Sequence, residues 1–273
     1  MSPIHLTDRK VVEVSGEEAD HFLSNLLTTN PPDAEGQSVW WALLSPQGKI
    51  AAEGLMGWNG SAILLDVHDS VISAFEKKLR MYKLRAKVDA VLRNDLSVGW
   101  SPHAVAGDQN VFHADPRGGG FGFRVIAPTE AAEGWSKERS TYEAERIARG
   151  LAFLGSEFAA DEQFPHDLAM ELNSGVNFKK GCYVGQEVVS RMQHRSTARK
   201  RPVIVRGAAN PELADVMLGE RVIGRAGPAH DGKAIAIVRI DKVSNPEAAT
   251  INGQTVSLAL PSWASYAFSD SSD

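Results

Sequence analysis

The only cysteine in this chain of 273 residues, Cys182, lies in the run KGCYVGQEVVSR. A thiol acts as a nucleophile or metal ligand in its thiolate form, and nearby cations or a helix N-terminus lower its pKa. Lys180 precedes Cys182 closely, and the pattern after it predicts a helix. The first amides of that helix (Gly185, Gln186 and Glu187) would point back toward the thiol or toward a bound anion. The alternative is a small buried hydrophobe, but polar, glycine-flanked neighbours favour an accessible, reactive thiol.

Positive charge is concentrated around this cysteine, whereas the whole chain carries a formal net charge of −5. Between residues 179 and 201 the only acid is Glu187. The cations there are Lys179, Lys180, Arg191, Arg195, Arg199, Lys200 and Arg201. Such a cluster is a candidate anion site, and the alternative is a solvated face with a basic linker. Nucleic acid is an unfavoured ligand because the stretch offers only one aromatic ring, Tyr183, for stacking.

Other kinds of reactive site find little support in the sequence. A single cysteine excludes an internal disulfide and a four-cysteine metal site. The eight histidines show no metal-binding spacing, and His166, near Asp167 and Glu171, is more typical of a structural residue. The glycine-rich run DPRGGGFGF lacks the last glycine of a dinucleotide-binding loop and precedes a strand.

The hydrophobic patterns predict an α+β body followed by a small β-barrel. RKVVEVSGEEADHFLSNLLTTN predicts a strand and a helix, and DSVISAFEKKLRMYKLR predicts an amphipathic helix with Phe75 and Leu79 on its apolar side. After Arg201, the short runs RPVIVRG, GERVIGRAG, GKAIAIVRID and GQTVSLAL are separated by turn residues, a pattern typical of a barrel. We therefore divide the chain into a body of residues 1–197, with room for two subdomains, and an antiparallel β-barrel of residues 198–273.

The sequence also suggests a compartment. The first residues contain no apolar signal core and do not suit a transit peptide. No apolar run approaches the roughly 20 residues that a membrane-spanning helix needs. We therefore expect a cytoplasmic protein without a membrane partner.

The run KGCYVGQEVVSR resembles the signature of the YgfZ-type folate-binding proteins, a group that includes a mitochondrial iron–sulfur cluster assembly factor. The resemblance extends to VSGEEADHFLSNLLTTN, LSPQGKI, KLRMYKLRAKVDAV, AERIARGLAFLGSEF and FPHDLAMELNSGVNF, and so covers most of the chain. This family is similar in fold to the aminomethyltransferase, or T-protein, of the glycine cleavage system. The resemblance implies a ring-shaped α+β body with a central folate pocket and a C-terminal barrel over it. It also implies tetrahydrofolate as the ligand, and iron–sulfur client proteins and assembly machinery as partners.

The resemblance assigns roles to the signature residues. Cys182 would be a reactive or iron-coordinating thiolate at the pocket rim, sharing any cluster with a partner because one thiolate cannot hold a cluster alone. Lys180 and Arg191 would complement the anionic glutamate tail of folate, and Glu171 would accept hydrogen bonds from the pterin ring. Gly181 and Gly185 would let the backbone approach the ligand. The remaining ligand-binding candidates are Tyr183, Gln186, Glu187 and Arg146.

Three functions follow as alternatives. The first is a folate-dependent accessory factor for iron–sulfur proteins without ordinary turnover, and the second is a folate-dependent aminomethyl or one-carbon transferase. The transferases carry Arg-Leu-Glu-Ala-Gly where this chain reads RIARG, so Arg146 and Gly150 match but Ala148 replaces the glutamate. Their catalytic aspartate is not identifiable here. The third alternative is an RNA-binding role for the basic stretch, whose affinity would fall steeply with salt.

Overall fold

The computed structural model describes residues 2–104, 110–195, 198–210 and 212–269. Residues 196 and 197, on the body side of the predicted domain boundary, lie outside the described residues, as do residues 270–273 of the predicted barrel. The helices are α1 (Ala19–Leu26), α2 (Ile72–Lys83), α3 (Ser140–Ala148) and α4 (Gln186–Arg195). The strands of the body are β1 (Ile4–His5), β2 (Arg9–Ser15), β3 (Ser38–Leu44), β4 (Ile50–Trp58), β5 (Ile63–His68), β6 (Asp89–Leu92), β7 (Leu96–Ser101), β8 (Val111–Ala114) and β9 (Phe123–Pro128). The strands after the body are β10 (Lys200–Arg206), β11 (Ala214–Leu218), β12 (Arg221–Ala226), β13 (Lys233–Arg239), β14 (Ala249–Ile251) and β15 (Gln254–Ala259).

A five-stranded antiparallel sheet, in the order β3-β4-β5-β2-β6, forms the centre of the body. Strands β3 and β4 are almost continuously apolar and buried, as expected for strands covered on both faces. Helix α2 buries Phe75 and Leu79, the pair that its spacing predicts, in the same core as Leu23 of α1. That core also takes in Tyr183 and Val189, so the cysteine-containing segment is attached to it.

A second, four-stranded sheet in the order β1-β7-β9-β8 is joined to the first by buried charges. Asp66 on β5 pairs with Arg9 on β2 at 2.8 Å and with Arg124 on β9 of the second sheet at 2.5 Å. Burial alone would raise the pKa of Asp66, but the two guanidinium groups hold it down to about 2. Gly54 makes room for these groups, since a Cβ there would lie 1.9 Å from the Asp66 carbonyl oxygen.

The C-terminal strands close into an antiparallel barrel in the order β10-β13-β12-β11-β14-β15. Closure comes from β10, which pairs with β13 from Lys200↔Arg239 onward and with β15 at Ile204↔Ala259. The barrel packs on the body through Ile204, Ile235 and Ile237, which belong to the main core. The predicted α+β body followed by a β-barrel is confirmed. Among the described helices, none is long and apolar enough to cross a lipid bilayer.

Candidate functional site

Cys182 lies in the loop that leads into α4, and its side chain is exposed, as the sequence predicts. Its neighbour Gly181 is also exposed, and a Cβ built there would meet no atom within 4 Å. The thiol is therefore open to an approaching ligand or protein, and the backbone beside it leaves room for one.

Gly185, three residues after the thiol, fixes this loop against the turn between β3 and β4. A Cβ at Gly185 would lie 2.7 Å from the Ser45 carbonyl oxygen and 3.1 Å from the Gly48 Cα, and its φ is +79°. Gly48 has the same φ of +79°, and a Cβ there would lie 2.8 Å from the Val188 Cβ on α4. The two glycines thus allow two backbones to touch. The predicted role of Gly185, close approach to a ligand, is wrong because the turn fills that space.

Lys180 is directed toward α1 rather than toward an open anion site. Its ammonium donates hydrogen bonds to the Leu27 carbonyl at 2.6 Å and to the Ser24 carbonyl, and it lies 4.5 Å from the centre of the Tyr183 ring. These carbonyls belong to the end of α1, where backbone acceptors lack helical partners. Burial lowers the pKa of Lys180 to about 8. The predicted charge complementation by Lys180 is therefore replaced by a structural role at the helix end.

The other signature residues divide into buried and exposed members. Tyr183 is buried, and burial raises its pKa to about 12. The Gln186 amide, predicted to be free, donates to the Tyr183 carbonyl at 3.2 Å. Glu187 and Arg191 are exposed and form no ion pair with each other in the described part of the chain. Together these placements make the signature a buried anchor with an exposed thiol.

A cleft of about 530 Å³ opens beside this loop. It is lined by Thr29, Asn30, Pro31, Pro32, Asp33, Gln37, Val39, Glu171, Ser174, Val176, Asn177, Phe178 and Lys179. Its two walls are tied together, because Thr28 donates to the Gly175 carbonyl at 2.7 Å and accepts from the Ala42 amide at 2.9 Å. Lys179 brings a cation to the rim, where its amide is held at 2.9 Å by the Asn177 side chain.

Glu171 is the buried acid of the cleft. It lies on a 3-10 turn, Met170–Asn173, between Ala169 (φ 53°) and Ser174 (φ 57°), two non-glycine residues in the left-handed region. Such strain is concentrated at functional sites. Glu171 Oε1 pairs with Arg201 at 2.8 Å, and the side chain is 7% exposed. Glu171 Oε2 is buried with no hydrogen-bond partner among the described residues.

Arg146, the last predicted ligand-binding residue, is not part of this cleft. Its guanidinium donates to Glu157 at 2.8 Å, to the Leu151 carbonyl at 2.9 Å and to Glu143 at 2.9 Å. The side chain is buried and its donors are occupied, so the predicted role in ligand binding is replaced by a structural one. Arg146 holds α3 to the segment after it.

No pattern in the sequence predicts the pairing of Glu171 with Arg201 or the contact of Gly185 with the 45–48 turn. In the sequence, Arg201 is one of seven cations in the basic stretch, and in the structure it also donates to the His166 carbonyl. The run LSPQGKI was available as a turn with a glycine, but nothing in the sequence links it to a loop far along the chain. Within the described residues, no group of three or more His, Cys, Asp or Glu side chains is arranged to hold a metal ion.

The barrel is recognisable by its sequence. Residues 199–266 match a family model described as the C-terminal beta-barrel domain of CAF17. The match coincides with the closed barrel and ends shortly after β15.

Several curated proteins are similar along the chain. The protein from Neurospora crassa named iron-sulfur cluster assembly factor IBA57 homolog, mitochondrial, is 30% identical over 243 residues, covering 76% of this chain and 55% of the relative. The protein of the same name from Pyricularia oryzae is 27% identical over 213 residues, covering 72% of this chain and 55% of the relative. This chain therefore spans about half the length of the curated relatives that it matches. The names are those of IBA57 rather than of the related YgfZ group.

These names also correct one expectation. A cytoplasmic location was predicted from the first residues of the chain, but the relatives are named as mitochondrial. The prediction of a cytoplasmic protein is wrong on this comparison, because the composition of one terminal segment does not determine a compartment.

The fold is similar to that of the glycine cleavage system aminomethyltransferase T from Bartonella henselae. The TM-score is 0.73, with 14% sequence identity, and the likeness covers 98% of this chain and 88% of that chain. The predicted T-protein-like fold is confirmed. An identity this low establishes the architecture and leaves the chemistry to the residues of the site.

The glycine contact makes a first prediction. Gly185→Ala should lower the free energy of unfolding by about 1–3 kcal/mol, because it adds both a clash and a strained φ. Gly181→Ala is the matched control, since its Cβ meets open space, and it should cost less than about 0.5 kcal/mol. Urea denaturation measures both changes, and the rate of Cys182 alkylation should change only in Gly185→Ala. Equal effects of the two substitutions would contradict the contact.

Lys180 makes a second prediction, about pH. Its pKa is about 8 in the folded protein against an ordinary value of 10.5, so between these pH values the unfolded chain binds a proton that the folded chain has lost. The free energy of unfolding should therefore rise with pH in that window. In Lys180→Met this rise should be smaller by about 1 kcal/mol, a figure reduced for solvent screening at a half-buried group. Urea titrations across the window test this, with Lys179→Met as the exposed control, and an unchanged slope in Lys180→Met would contradict it.

Proposed function

We propose that this protein is an accessory factor in iron–sulfur cluster assembly, with Cys182 as a cluster ligand and tetrahydrofolate bound in the cleft at Glu171. The names of the relatives support the first part of the proposal, and they direct the search for clients to mitochondrial iron–sulfur enzymes. The observation that carries the proposal is an exposed thiol on a loop whose neighbours are held rigidly.

The position of the thiol suits transfer or sharing of a cluster. Iron in such clusters is held by cysteine thiolates, and one thiolate cannot complete the set. Cys182 is the single cysteine of the chain, so the remaining ligands come from the partner that carries or receives the cluster. An exposed ligand beside Gly181, where no atom lies in the way, allows a second protein to approach closely. A rigid anchor keeps the thiol in place when that partner leaves.

The cleft has the size and polarity to receive a folate. Its volume of about 530 Å³ falls within the roughly 300–1,000 Å³ common for ligand pockets. The pterin ring presents N–H donors, and Glu171 Oε2 is a buried acceptor that no described residue donates to. Lys179 at the rim carries a cation for the glutamate tail. Val39, Val176 and Phe178 supply apolar contacts for the rings.

The transferase alternative rests on the fold alone. Glu53, the buried acid on β4, accepts a hydrogen bond from the Trp40 ring at 2.8 Å and one from the Leu154 amide at 3.2 Å, and it lies 3.8 Å from Arg9. An acid engaged in this way is part of the packed interior. A factor that binds folate without ordinary turnover is the function that the site supports best.

Folate binding is tested directly by titration calorimetry with tetrahydrofolate. We expect saturable binding that weakens with added salt. Glu171→Gln should weaken it by roughly tenfold to a hundredfold, because a charged hydrogen-bond acceptor is lost while the shape is kept. The matched control is Glu187→Gln, an exposed acid outside the cleft, which should bind as the parent does. Absence of binding at hundreds of micromolar ligand would remove the folate half of the proposal.

The role of the thiol is tested by Cys182→Ser. Because the side chain is exposed, the change in the free energy of unfolding should stay within about 0.5 kcal/mol, and folate binding should be unchanged. In cells lacking the protein, this variant should fail to restore the activity of iron–sulfur enzymes although it reaches normal abundance. Abundance, melting temperature and rescue are measured together. A stable, abundant Cys182→Ser protein that rescues fully would refute the role of the thiol.

A further inference from the structure

Apolar side chains project into solvent at the C-terminal end of α2. Leu84, directly after the helix, is 87% exposed, and Met81 in its last turn is 57% exposed. Val91, on the neighbouring edge strand β6, is 51% exposed. These are three of the seven large hydrophobic side chains that are exposed in the described chain, and they come from one short stretch of sequence.

Leu84 adopts a backbone conformation that its own packing does not explain. Its φ is 44° and its ψ is −104°, outside the regions that residues with a Cβ favour. A strained residue persists when other contacts compensate for the cost. A side chain that is 87% exposed makes few contacts within the chain. The leucine is thus held in a strained backbone conformation with its side chain in solvent.

Cations surround this projecting leucine. Lys77, Arg80 and Arg85 are exposed, and none of them forms an ion pair with another described residue. Two further lysines at the edge are already paired, Lys83 with Asp89 at 3.1 Å and Lys87 with Glu17 at 2.8 Å. Unpaired cations therefore flank the leucine in sequence, with Lys77 and Arg80 before it and Arg85 directly after it.

The spacing places three of these groups on one face of the helix. Lys77, Arg80 and Met81 follow the i, i+3, i+4 pattern of a single helical stripe. Leu84 and Arg85 follow directly after the end of the helix at Lys83. The opposite face buries Phe75 and Leu79 in the core, so the helix cannot turn its outer face inward. We call the outward group of Lys77, Arg80, Met81, Leu84 and Arg85 the α2 tip.

We propose that the α2 tip docks on the surface of an anionic lipid bilayer, with Leu84 and Met81 in the interface and the cations on the lipid phosphates. Amphipathic helices bind bilayers in this way, through buried apolar area and attraction to anionic lipid. The proposal goes beyond the role of the thiol and uses none of its residues. It departs from the expectation of no membrane partner, which rested on the lack of a membrane-spanning helix and did not consider surface binding.

The shape and charge of the α2 tip favour a bilayer over a protein. A stable protein interface buries roughly 800 Å² per partner around a core rich in aromatic residues, whereas this face offers one projecting leucine and a methionine without an exposed aromatic ring. A second copy of the chain would bring like charges together. A bilayer accepts a single projecting side chain, and its phosphates match cations without requiring a fixed arrangement.

The test is co-sedimentation with vesicles of phosphatidylcholine alone, or with phosphatidylserine as about a third of the lipid. We expect the protein to pellet with the anionic vesicles only, and less so as salt rises. Arg80→Ser with Arg85→Ser should weaken binding about thirtyfold, since each cation near the surface contributes roughly a factor of five. The matched control removes two exposed arginines of the barrel strand β12, Arg221→Ser with Arg225→Ser, and should bind as the parent does.

Leu84→Gly separates docking from folding. Glycine suits a positive φ, so this variant should be at least as stable as the parent, yet it should bind anionic vesicles several-fold more weakly. Equal pelleting with both vesicle types, no pelleting at all, or equal losses in the β12 control would overturn the proposal. The proposal would also be overturned if the parent protein did not bind vesicles while the α2 tip variants failed to restore the activity of iron–sulfur enzymes in cells. That result would assign the surface to a protein partner. Cys182→Ser should bind anionic vesicles as the parent does. Failure of the role proposed for the thiol would therefore leave the vesicle result unchanged.

Discussion

The carboxylate of Asp66 is the interaction on which the body of this protein depends. It forms ion pairs with Arg9 from its own sheet and with Arg124 from the other sheet, and all three side chains are buried. A buried charge without its partner costs several kcal/mol, so the two sheets are stable only in the arrangement that brings these groups together. The missing side chain of Gly54 is part of the same constraint, because it leaves the space that the charges occupy.

The exposed thiol is held in position by this core. Strands β3 and β4 belong to the sheet that Asp66 anchors, and their connecting turn touches Gly185. Lys180 fixes the other side of the loop by bonding to carbonyls at the end of α1. Cys182 lies between these two attachments, and its exposed side chain does not pack in the core. The thiol is thereby held on an anchored loop while its surface stays open, the arrangement that the proposed cluster ligand needs.

Local patterns predicted the elements, and long-range contacts decided the site. The spacing of Phe75 and Leu79 gave α2, and the short runs after Arg201 gave the barrel, because each depends on neighbours in sequence. The direction of Lys180 was not predictable, since its acceptors lie more than 150 residues away in the chain. The pairing of Glu171 with Arg201 likewise requires the barrel to fold back on the body. The signature therefore points to a segment of the chain, and only the fold shows which of its residues are buried and which are open to a ligand.

The charge on the surface is distributed unevenly, which the net charge alone does not show. The chain carries −5 overall, yet the α2 tip and the exposed cations of α4, Arg191 and Arg195, are local positive regions. Such asymmetry orients a protein before contact, because an anionic surface attracts the basic faces and repels the rest. Phe75 and Leu79 of α2, Leu23 of α1 and Val189 of α4 are all buried in the same core. One rigid core thus supports both the thiol loop and the lipid-facing tip, so docking at the tip would restrict the directions from which a partner can reach the thiol.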